Sequence, residues 1–293
     1  MLHTGFPRKG LPVKRQEPRA VTSFWKQLNA RRLRRILLFA VLLAAALTFV
    51  PLLTIIFVVC GALDISRHRK ITYEMIEKYF MGNGIGTWLL SPLNLLADLF
   101  SLPNKGKYAL ADLPPEHRAE IEACVRAFVD NREAIKEHIA NTIGANKRCM
   151  LTFQWYDRAQ ATELNIPAFR KNYSYIKTIA VSVFNTRERT SWHFGPLRLT
   201  FRVLYNLDPI NSRDVYIEMD DIVHYWKDNP LFIFDDTMFH RSINDVDHVR
   251  YCLFMDVIRP NYAQKAFQLA VQVTSVVANS FKRVFYKNWS FVR

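Results

Sequence analysis

The change of sequence pattern near residue 149 constrains the fold most strongly. From there to residue 260 the chain contains six short runs rich in β-branched and aromatic residues: MLTFQWY, YIKTIAVSVFN, LRLTFRVLYNL, DVYIEMD, LFIFDD and RYCLFMDVIRP. Turn-forming segments such as DPINSRD and WKDNP separate several of them. Short strands at regular spacing are typical of an antiparallel sandwich or barrel. Because the preceding segments have helical patterns, we predict an α+β chain that ends in such a β domain.

An uncharged apolar run lies upstream of the β-rich part. Residues 36–63 contain no charged side chain over 28 positions and follow the basic sequence ARRLRR. A membrane-spanning helix needs roughly 20 apolar residues. We therefore predict that 36–63 is a transmembrane or re-entrant anchor, with Pro51 at the apex in the second case. Residues 1–35 hold ten Lys or Arg and one acid, and we predict a basic cytosolic segment there.

Two further segments have amphipathic patterns. Residues 114–143 begin with a proline pair and early acidic residues, which predicts a helix. This helix belongs to a predicted helical, membrane-proximal region over 64–148. At the C-terminus, apolar residues at helical spacing and several Lys or Arg predict a basic amphipathic helix over 261–293. Such a helix either lies among lipid headgroups or docks on the core of the protein.

The net charge of +14 indicates an anionic partner. The excess lies at the two ends of the chain, since no Asp or Glu follows Asp256. A nucleic-acid-binding domain more often carries a basic stripe within its folded core. The distribution therefore argues against nucleic acid and favours a membrane surface or an anionic lipid.

Two histidines in the β-rich part are candidate metal ligands. His193 precedes a Gly-Pro turn, and His240 ends the segment IFDDTMFH. Two neutral imidazoles can hold Fe(II) and leave positions open for a chelating co-substrate and oxygen. Arg250 follows ten residues after His240, and a guanidinium pairs with a carboxylate through two hydrogen bonds. Taken alone, these residues also fit structural histidines and a surface ion pair.

The spacing of these residues resembles the aspartyl/asparaginyl β-hydroxylase family of Fe(II)- and 2-oxoglutarate-dependent dioxygenases. The resemblance rests on HFGP (193–196), Arg202, IFDDTMFH (233–240), Arg250 and the closing DVIRP (256–260). It implies a double-stranded β-helix, a jelly-roll or cupin-like fold, over 149–260. It also implies Fe(II), 2-oxoglutarate and O₂ as cofactor and co-substrates, with ascorbate as an accessory reductant.

The same resemblance implies a role for each site residue. His193 and His240 would bind the iron and, with Arg202, make up the catalytic group. Arg250 and Ser182 would bind the distal carboxylate of 2-oxoglutarate. Arg202, nine residues after His193, would hold the co-substrate or a polar group of the substrate.

A longer stretch, about residues 90 to 260, resembles the membrane-bound lipid A 2-hydroxylases of Gram-negative bacteria. The segments LFSLPNKGKY (99–108) and LTFQWYD (151–157) carry this part of the resemblance. It implies 2-hydroxylation of a fatty acyl chain of lipid A. It also implies a bacterial inner-membrane protein with its catalytic domain in the cytosol.

One position departs from the lipid A branch. Those enzymes have an acidic residue two positions after the first histidine, where this chain has Gly195. The animal aspartyl/asparaginyl hydroxylases have glycine there and bind iron through two histidines, so a peptidyl aspartyl/asparaginyl β-hydroxylase is an alternative function. A membrane-tethered, non-catalytic 2-oxoglutarate-binding protein is another. Asp235 and Asp236 are interpreted as turn residues or partners of the ligands.

Overall fold

The computed structural model describes residues 30–144, 147–285 and 289–292. Most of the predicted basic segment over 1–35 therefore lies outside the described residues. The helices are α1 (Ala30–Phe49), α2 (Pro51–Ile65), α3 (Tyr73–Met81), α4 (Ile85–Leu89), α5 (Ser91–Leu99), α6 (Pro115–Asp130), α7 (Arg132–Ile143), α8 (Pro167–Arg170) and α9 (Gln264–Phe285). The division of the chain into the predicted segments stays a prediction.

The uncharged run over 36–63 forms parts of two helices that meet at Val50 and Pro51. Proline occupies the first position of α2, where its missing N–H costs nothing, but its ring ends the helix before it. In the part of the chain that the structure describes, no helix has the length and apolar character needed to span a membrane. The predicted transmembrane helix and the predicted inner-membrane location are therefore wrong, whereas the re-entrant alternative for 36–63 stays a prediction.

Hydrogen-bonded strands form two antiparallel sheets, apart from one parallel pair at an edge. The strands are β1 (Lys107–Tyr108), β2 (Arg148–Trp155), β3 (Arg158–Ala159), β4 (Ile176–Phe184), β5 (Glu188–Arg189), β6 (Thr200–Asn206), β7 (Val215–Met219), β8 (Ile222–Tyr225), β9 (Leu231–Phe234), β10 (His240–Asn244), β11 (Arg250–Ile258) and β12 (Ser290–Val292). The large sheet has the order β1-β9-β6-β11-β4-β2-β12, and β3 pairs with β2. The small sheet has the order β5-β10-β7-β8.

The path of the chain through these sheets is that of a double-stranded β-helix. Strands β4, β6, β9 and β11 lie in the large sheet, and β5, β7, β8 and β10 lie in the small one. The chain thus crosses between the sheets as it winds, as in a jelly roll. The predicted α+β class and the predicted jelly-roll domain are confirmed.

The register of the large sheet determines which side chains face the small sheet. Directly paired residues share a face, and every second residue along a strand shares it too. On β11, Arg250, Cys252 and Asp256 therefore lie on one face. Cys252 packs in a core cluster with Ile217 and other residues of the small sheet. This is the inner face of the β-helix.

The helices cover the β-helix on its outside. The predicted helix over 114–143 is divided at Asn131 into α6 and α7, and Asn131 caps α6 by donating from Nδ2 to the carbonyl of Ala127. Helix α9 buries Phe267 and Val271 in a cluster with Ala97 of α5 and residues near β6 and β11. The first turns of α9 thus dock on the core of the protein, which was one of the two alternatives for this helix.

Candidate active site

His193 and His240 face each other across an isolated β-bridge. The His193 N–H donates to the His240 carbonyl at 2.9 Å, and the His240 N–H returns the bond at 3.0 Å. Their ring centroids are 4.2 Å apart, with the rings tilted by 50°. The bridge between the start of β10 and the loop before β6 therefore brings together the two predicted metal ligands.

Both imidazoles are oriented in the same way. Nδ1 of His193 lies 2.8 Å from the carbonyl of Ser191, and Nδ1 of His240 lies 2.7 Å from the carbonyl of Met238. A carbonyl can only accept, so each Nδ1 carries the proton and each Nε2 keeps its lone pair. Metal-binding histidines commonly show this arrangement, because the outer hydrogen bond selects the tautomer that coordinates.

The electrostatics of the pair also favour neutral rings. Burial, and secondarily the neighbouring His240, lower the pKa of His193 to about 3, although part of the His193 surface is open. Burial lowers the pKa of His240 to about 4. Two adjacent neutral imidazoles with free Nε2 atoms can bind a divalent cation without first losing a proton at neutral pH.

A buried chain of charges lies beside the histidines. Arg202 donates from Nε to Asp256 at 2.8 Å and from Nη2 to Oδ2 of Asp236 at 2.9 Å. Its guanidinium also lies over the Phe254 ring, 3.9 Å from the centroid. Burial raises the pKa of Asp256. The predicted role of Arg202 on a co-substrate or substrate stays a prediction.

Arg250 is the second predicted carboxylate-binding residue, and it lies inside the β-helix. Its side chain is buried, and Nη2 donates to the Ser242 hydroxyl at 2.8 Å. Its Nε and Nη1 atoms are buried without a hydrogen-bond partner. The ring of Phe184 lies 4.4 Å from the guanidinium carbon, and that of Trp226 lies 5.3 Å away. Burial lowers the pKa of Arg250, and the structure assigns it no ion pair with a carboxylate among the described residues.

Ser182 lies on the same inner face, opposite Cys252 and two positions along β4 from the partner of Arg250. Its hydroxyl donates to the carbonyl of Cys252 at 3.3 Å, which is a long hydrogen bond. The structure therefore places Ser182 near the predicted carboxylate subsite. Its direct role there stays a prediction.

A line of aromatic rings connects the histidines to Arg250. Phe234 lies 5.2 Å from His240, and Phe232 stacks on Phe234 at 4.6 Å. His224 stacks on Phe232 at 4.3 Å and lies 4.9 Å from Trp226. Burial lowers the pKa of His224 to about 4, and its Nε2 has no hydrogen-bond partner. Strand β8 has only four residues and shows no clear alternation, so the sequence pattern does not reveal this wall.

A second set of buried charges ties the helices to the loop before His240. Arg198 forms ion pairs with Asp64 of α2, Asp98 of α5 and Asp235. Arg67 adds another ion pair to Asp235, at 2.7 Å. Burial alone would oppose ionisation of Asp235, but the surrounding guanidiniums outweigh it and hold its pKa well below the usual range. The helices at the N-terminal end therefore position the loop that leads to His240.

The donor set fits a cation that is completed by other ligands. Within residues 30–144, 147–285 and 289–292, no three His, Cys, Asp or Glu side chains form a ready metal site. The two Nε2 atoms supply two imidazole ligands, and the unpartnered edge of Arg250 supplies an anion subsite on the same inner surface. This combination suits a metal that also binds an anionic co-substrate.

Comparison with known proteins agrees with this geometry. Residues 116–260 match the model of the family described as Aspartyl/Asparaginyl beta-hydroxylase. This match covers the β-helix and every predicted site residue. The chain belongs to the aspartyl/asparaginyl β-hydroxylase family, and it is a hydroxylase. A search of curated proteins finds no match to the chain.

Several solved structures are distantly similar to the chain. AviO1 from Streptomyces viridochromogenes is 11% identical over 58% of this chain and 95% of its own, with a TM-score of 0.32. An oxidoreductase of the 2OG-Fe(II) oxygenase family from Burkholderia pseudomallei is 10% identical over 41% of this chain and 73% of its own, with a TM-score of 0.29. A cupin domain from Bordetella pertussis is 9% identical over 39% of this chain and 98% of its own, with a TM-score of 0.24. At these TM-scores the likenesses carry no further conclusion.

Proposed function

We propose that the chain is an Fe(II)- and 2-oxoglutarate-dependent hydroxylase in which His193 and His240 bind the iron. The observation that carries this proposal is the buried, unpartnered edge of Arg250. Its hydrogen-bond partner Ser242 lies two residues from His240 on β10, which corresponds to roughly 7 Å along a strand. This separation suits a small dicarboxylate that chelates a metal at one end and pairs with a guanidinium at the other.

His193 and His240 would hold the iron, and the bound metal would supply the oxidative chemistry that couples conversion of 2-oxoglutarate and O₂ into succinate and CO₂ to hydroxylation of a substrate C–H bond. The protein supplies binding and orientation. The carbonyls of Ser191 and Met238 hold the imidazoles with Nε2 directed away from their own backbone. The aromatic wall from Phe234 to Trp226 excludes water from the co-substrate.

For the substrate we propose a fatty acyl chain of a lipid, with 2-hydroxylation of lipid A as the specific reaction. Phe239 and Phe194 pack at 4.8 Å beside the histidines. Aromatic contacts continue from Phe194 through Tyr79 and Phe80 to Phe39 of α1. Large hydrophobic side chains also remain exposed on the nearby helices, including Phe49, Leu52 and Leu99. Apolar side chains beside the histidines and on the surface of these helices suit the binding of an acyl chain better than that of a charged peptide.

The test is mass spectrometry of lipid A from cells with the wild-type chain, without it, and with His240→Ala. One added oxygen on an acyl chain, absent in the other two samples, would support the lipid substrate. Unchanged lipid A, together with 2-oxoglutarate consumption by the purified protein, would reject it.

The second candidate is hydroxylation of Asp or Asn in a peptide, which the family match over residues 116–260 favours. Gly195 also favours it, since the animal members of the family carry glycine at this position. Incubation with peptide libraries containing Asp and Asn, followed by mass spectrometry, tests it directly. If the chain hydroxylates neither lipid A nor the peptides, and also consumes no 2-oxoglutarate, the remaining candidate is a non-catalytic binding protein.

A further inference from the structure

A cavity of about 410 Å³ lies on the outer side of the large sheet, away from the candidate active site. Phe153 of β2, Phe169 of α8 and Tyr173 line it, and all three belong to the core cluster that the sheet forms with α6 and α7. The inner face of the β-helix packs in a different cluster, around Cys252. None of the residues that line the cavity is a predicted site residue, and its volume is typical of a small-molecule site.

The charged side chains that line this cavity are three cations and one carboxylate. Lys177 is buried and pairs with Asp157 through Nζ at 3.0 Å. Arg170 and Lys171 are exposed, and in the part of the chain that the structure describes neither forms an ion pair with a carboxylate. Arg170 donates to two backbone carbonyls, and Lys171 lies over an aromatic ring. The lining therefore carries an excess of positive charge, which favours an anion with more than one negative charge.

Neutral polar groups complete the lining. Asn172 follows the two exposed cations, and Gln268 and Gln272 lie about one turn apart on α9. Amide groups both donate and accept hydrogen bonds, so they suit the hydroxyl and ester oxygens of an uncharged moiety. Together with the rings of Phe169 and Tyr173, they suit a ligand whose charge is concentrated at one end.

Glu120 of α6 fixes the loop between α8 and β4. Its carboxylate accepts the N–H groups of Ser174, Tyr175 and Ile176 at 2.8, 2.9 and 3.2 Å. These bonds hold the backbone that follows Lys171, so the loop lines the cavity in a fixed conformation. A site whose backbone is fixed in advance loses less conformational entropy when a ligand binds.

We propose that this cavity binds a phosphate monoester through Arg170, Lys171 and Lys177. Near neutral pH such a group carries a charge of about −1.5 to −2 and has three acceptor oxygens, which matches the excess charge of the lining. Arginine binds two phosphate oxygens at once, and lysine acts as a point charge. A carboxylate carries a single charge and is the poorer match. The cavity lies outside the β-helix, so this proposal goes beyond the hydroxylase proposal and does not depend on it.

The phosphate belongs either to a soluble compound or to a lipid headgroup. On α9, Leu269 and Val273 are exposed, and each directly follows a glutamine that lines the cavity. This apolar surface would lie beside the acyl part of a lipid. Two probes therefore separate the sources: glycerol 3-phosphate, and dihexanoyl phosphatidic acid below its critical micelle concentration.

The experiment is calorimetric titration of the full chain with each probe, without added metal or 2-oxoglutarate. We expect Lys171→Glu to weaken the binding of both probes at least about tenfold, since it replaces a charge-assisted contact by repulsion. Lys227→Glu is the matched control, because Lys227 is exposed in the turn after β8 and the net charge changes equally. We expect its effect to be less than about twofold, since charges on a distant surface are screened.

Asp157→Asn tests the sign of the interaction. Asp157 has a φ of 62°, a conformation that asparagine also adopts readily. The substitution removes the one carboxylate among the described residues that line the cavity. We expect it to strengthen the binding of both probes about threefold or more, because it removes repulsion. A purely structural role of the pair with Lys177 would not strengthen binding.

The two probes also identify the source of the phosphate. Binding of the lipid at least about tenfold tighter than that of glycerol 3-phosphate would assign the cavity to a lipid headgroup, and any smaller difference would assign it to soluble phosphate esters. Three results would overturn the inference: no binding of either probe to the wild type, equal effects of Lys171→Glu and Lys227→Glu, or weaker binding by Asp157→Asn.

Discussion

Arg250 gives a prediction in which stability and ligand binding change in opposite directions. The structure buries this guanidinium among Phe184 and Trp226 with one hydrogen bond, to Ser242. An unpaired buried charge costs several kcal/mol. We infer that this cost is offset only when an anionic ligand is bound, and we expect Arg250→Met to stabilise the protein in the absence of 2-oxoglutarate.

The magnitude follows from what the substitution removes. Loss of the Ser242 hydrogen bond costs about 1 kcal/mol, and the loss of the two ring contacts costs about 1 to 2 kcal/mol. Against these losses, a buried charge left without a compensating partner costs about 3 to 5 kcal/mol, and the substitution removes that cost. For Arg250→Met we therefore expect a free energy of unfolding that is higher by about 1 to 2 kcal/mol.

The assay is chemical denaturation with and without 2-oxoglutarate and Mn(II). A ligand at 100 times its Kd stabilises the folded state by about 2.7 kcal/mol, and Arg250→Met should lose this increment. Arg198→Met is the matched control, since Arg198 is equally buried but paired with Asp64, Asp98 and Asp235. Breaking those pairs should destabilise the protein by about 3 to 5 kcal/mol.

The reasoning about Arg250 would be refuted by destabilisation of more than about 2 kcal/mol, comparable with the loss expected for Arg198→Met. It would also be refuted if Arg250→Met kept the stabilisation by 2-oxoglutarate. Either result would assign Arg250 a structural role within the β-helix.

Three further substitutions test other parts of the structure. Gly195→Ala should lower the free energy of unfolding by about 1 to 3 kcal/mol, measured by denaturation, because its Cβ collides with Asp236. His224 has a pKa lowered from 6.5 to about 4, so its contribution is complete above pH 6.5 and is lost as the pH falls toward 4. His224→Phe should therefore reduce the loss of stability over that pH range; a pH profile identical to that of the wild type would contradict this. Phe239→Ala should cost about 3 to 5 kcal/mol by denaturation, since the ring is buried; a loss below 1 kcal/mol would contradict the packing.

The β-helix could be predicted because its main strands carry a strong local pattern. Strands β4, β6 and β11 are long, rich in β-branched and aromatic residues, and bounded by turns. Strand β10 is short and polar, with the sequence HRSIN, and its pattern alone does not distinguish it from a loop. Its position became predictable only through the motif that ends at His240.

The apolar run over 36–63 shows what hydropathy cannot decide. Composition measures how apolar a segment is, but it does not say whether the chain itself provides a partner. Asp64, directly after the run, is buried in ion pairs with Arg198 and Arg67. Arg198 lies 134 positions from Asp64, beyond any local window. The break at Pro51 leaves no helix among the described residues long and apolar enough to span a membrane, so the transmembrane prediction was wrong.

The close contact between Gly195 and Asp236 could not be read from the sequence for a similar reason. The two residues lie 41 positions apart, and the neighbours of Gly195 in the sequence do not show that the Asp236 carboxylate fills the space beside it. The histidines and Arg250, in contrast, were predictable because their spacing is part of a recurring motif.

The most direct test of the proposed hydroxylase is the binding of 2-oxoglutarate to the purified chain by calorimetry, with and without Mn(II) under anaerobic conditions. We predict one equivalent of 2-oxoglutarate that binds tightly only when the metal is present. His240→Ala should abolish the metal dependence, and Arg250→Met should abolish binding. Absence of binding to the wild type, or binding that both substitutions leave unchanged, would contradict the proposed site.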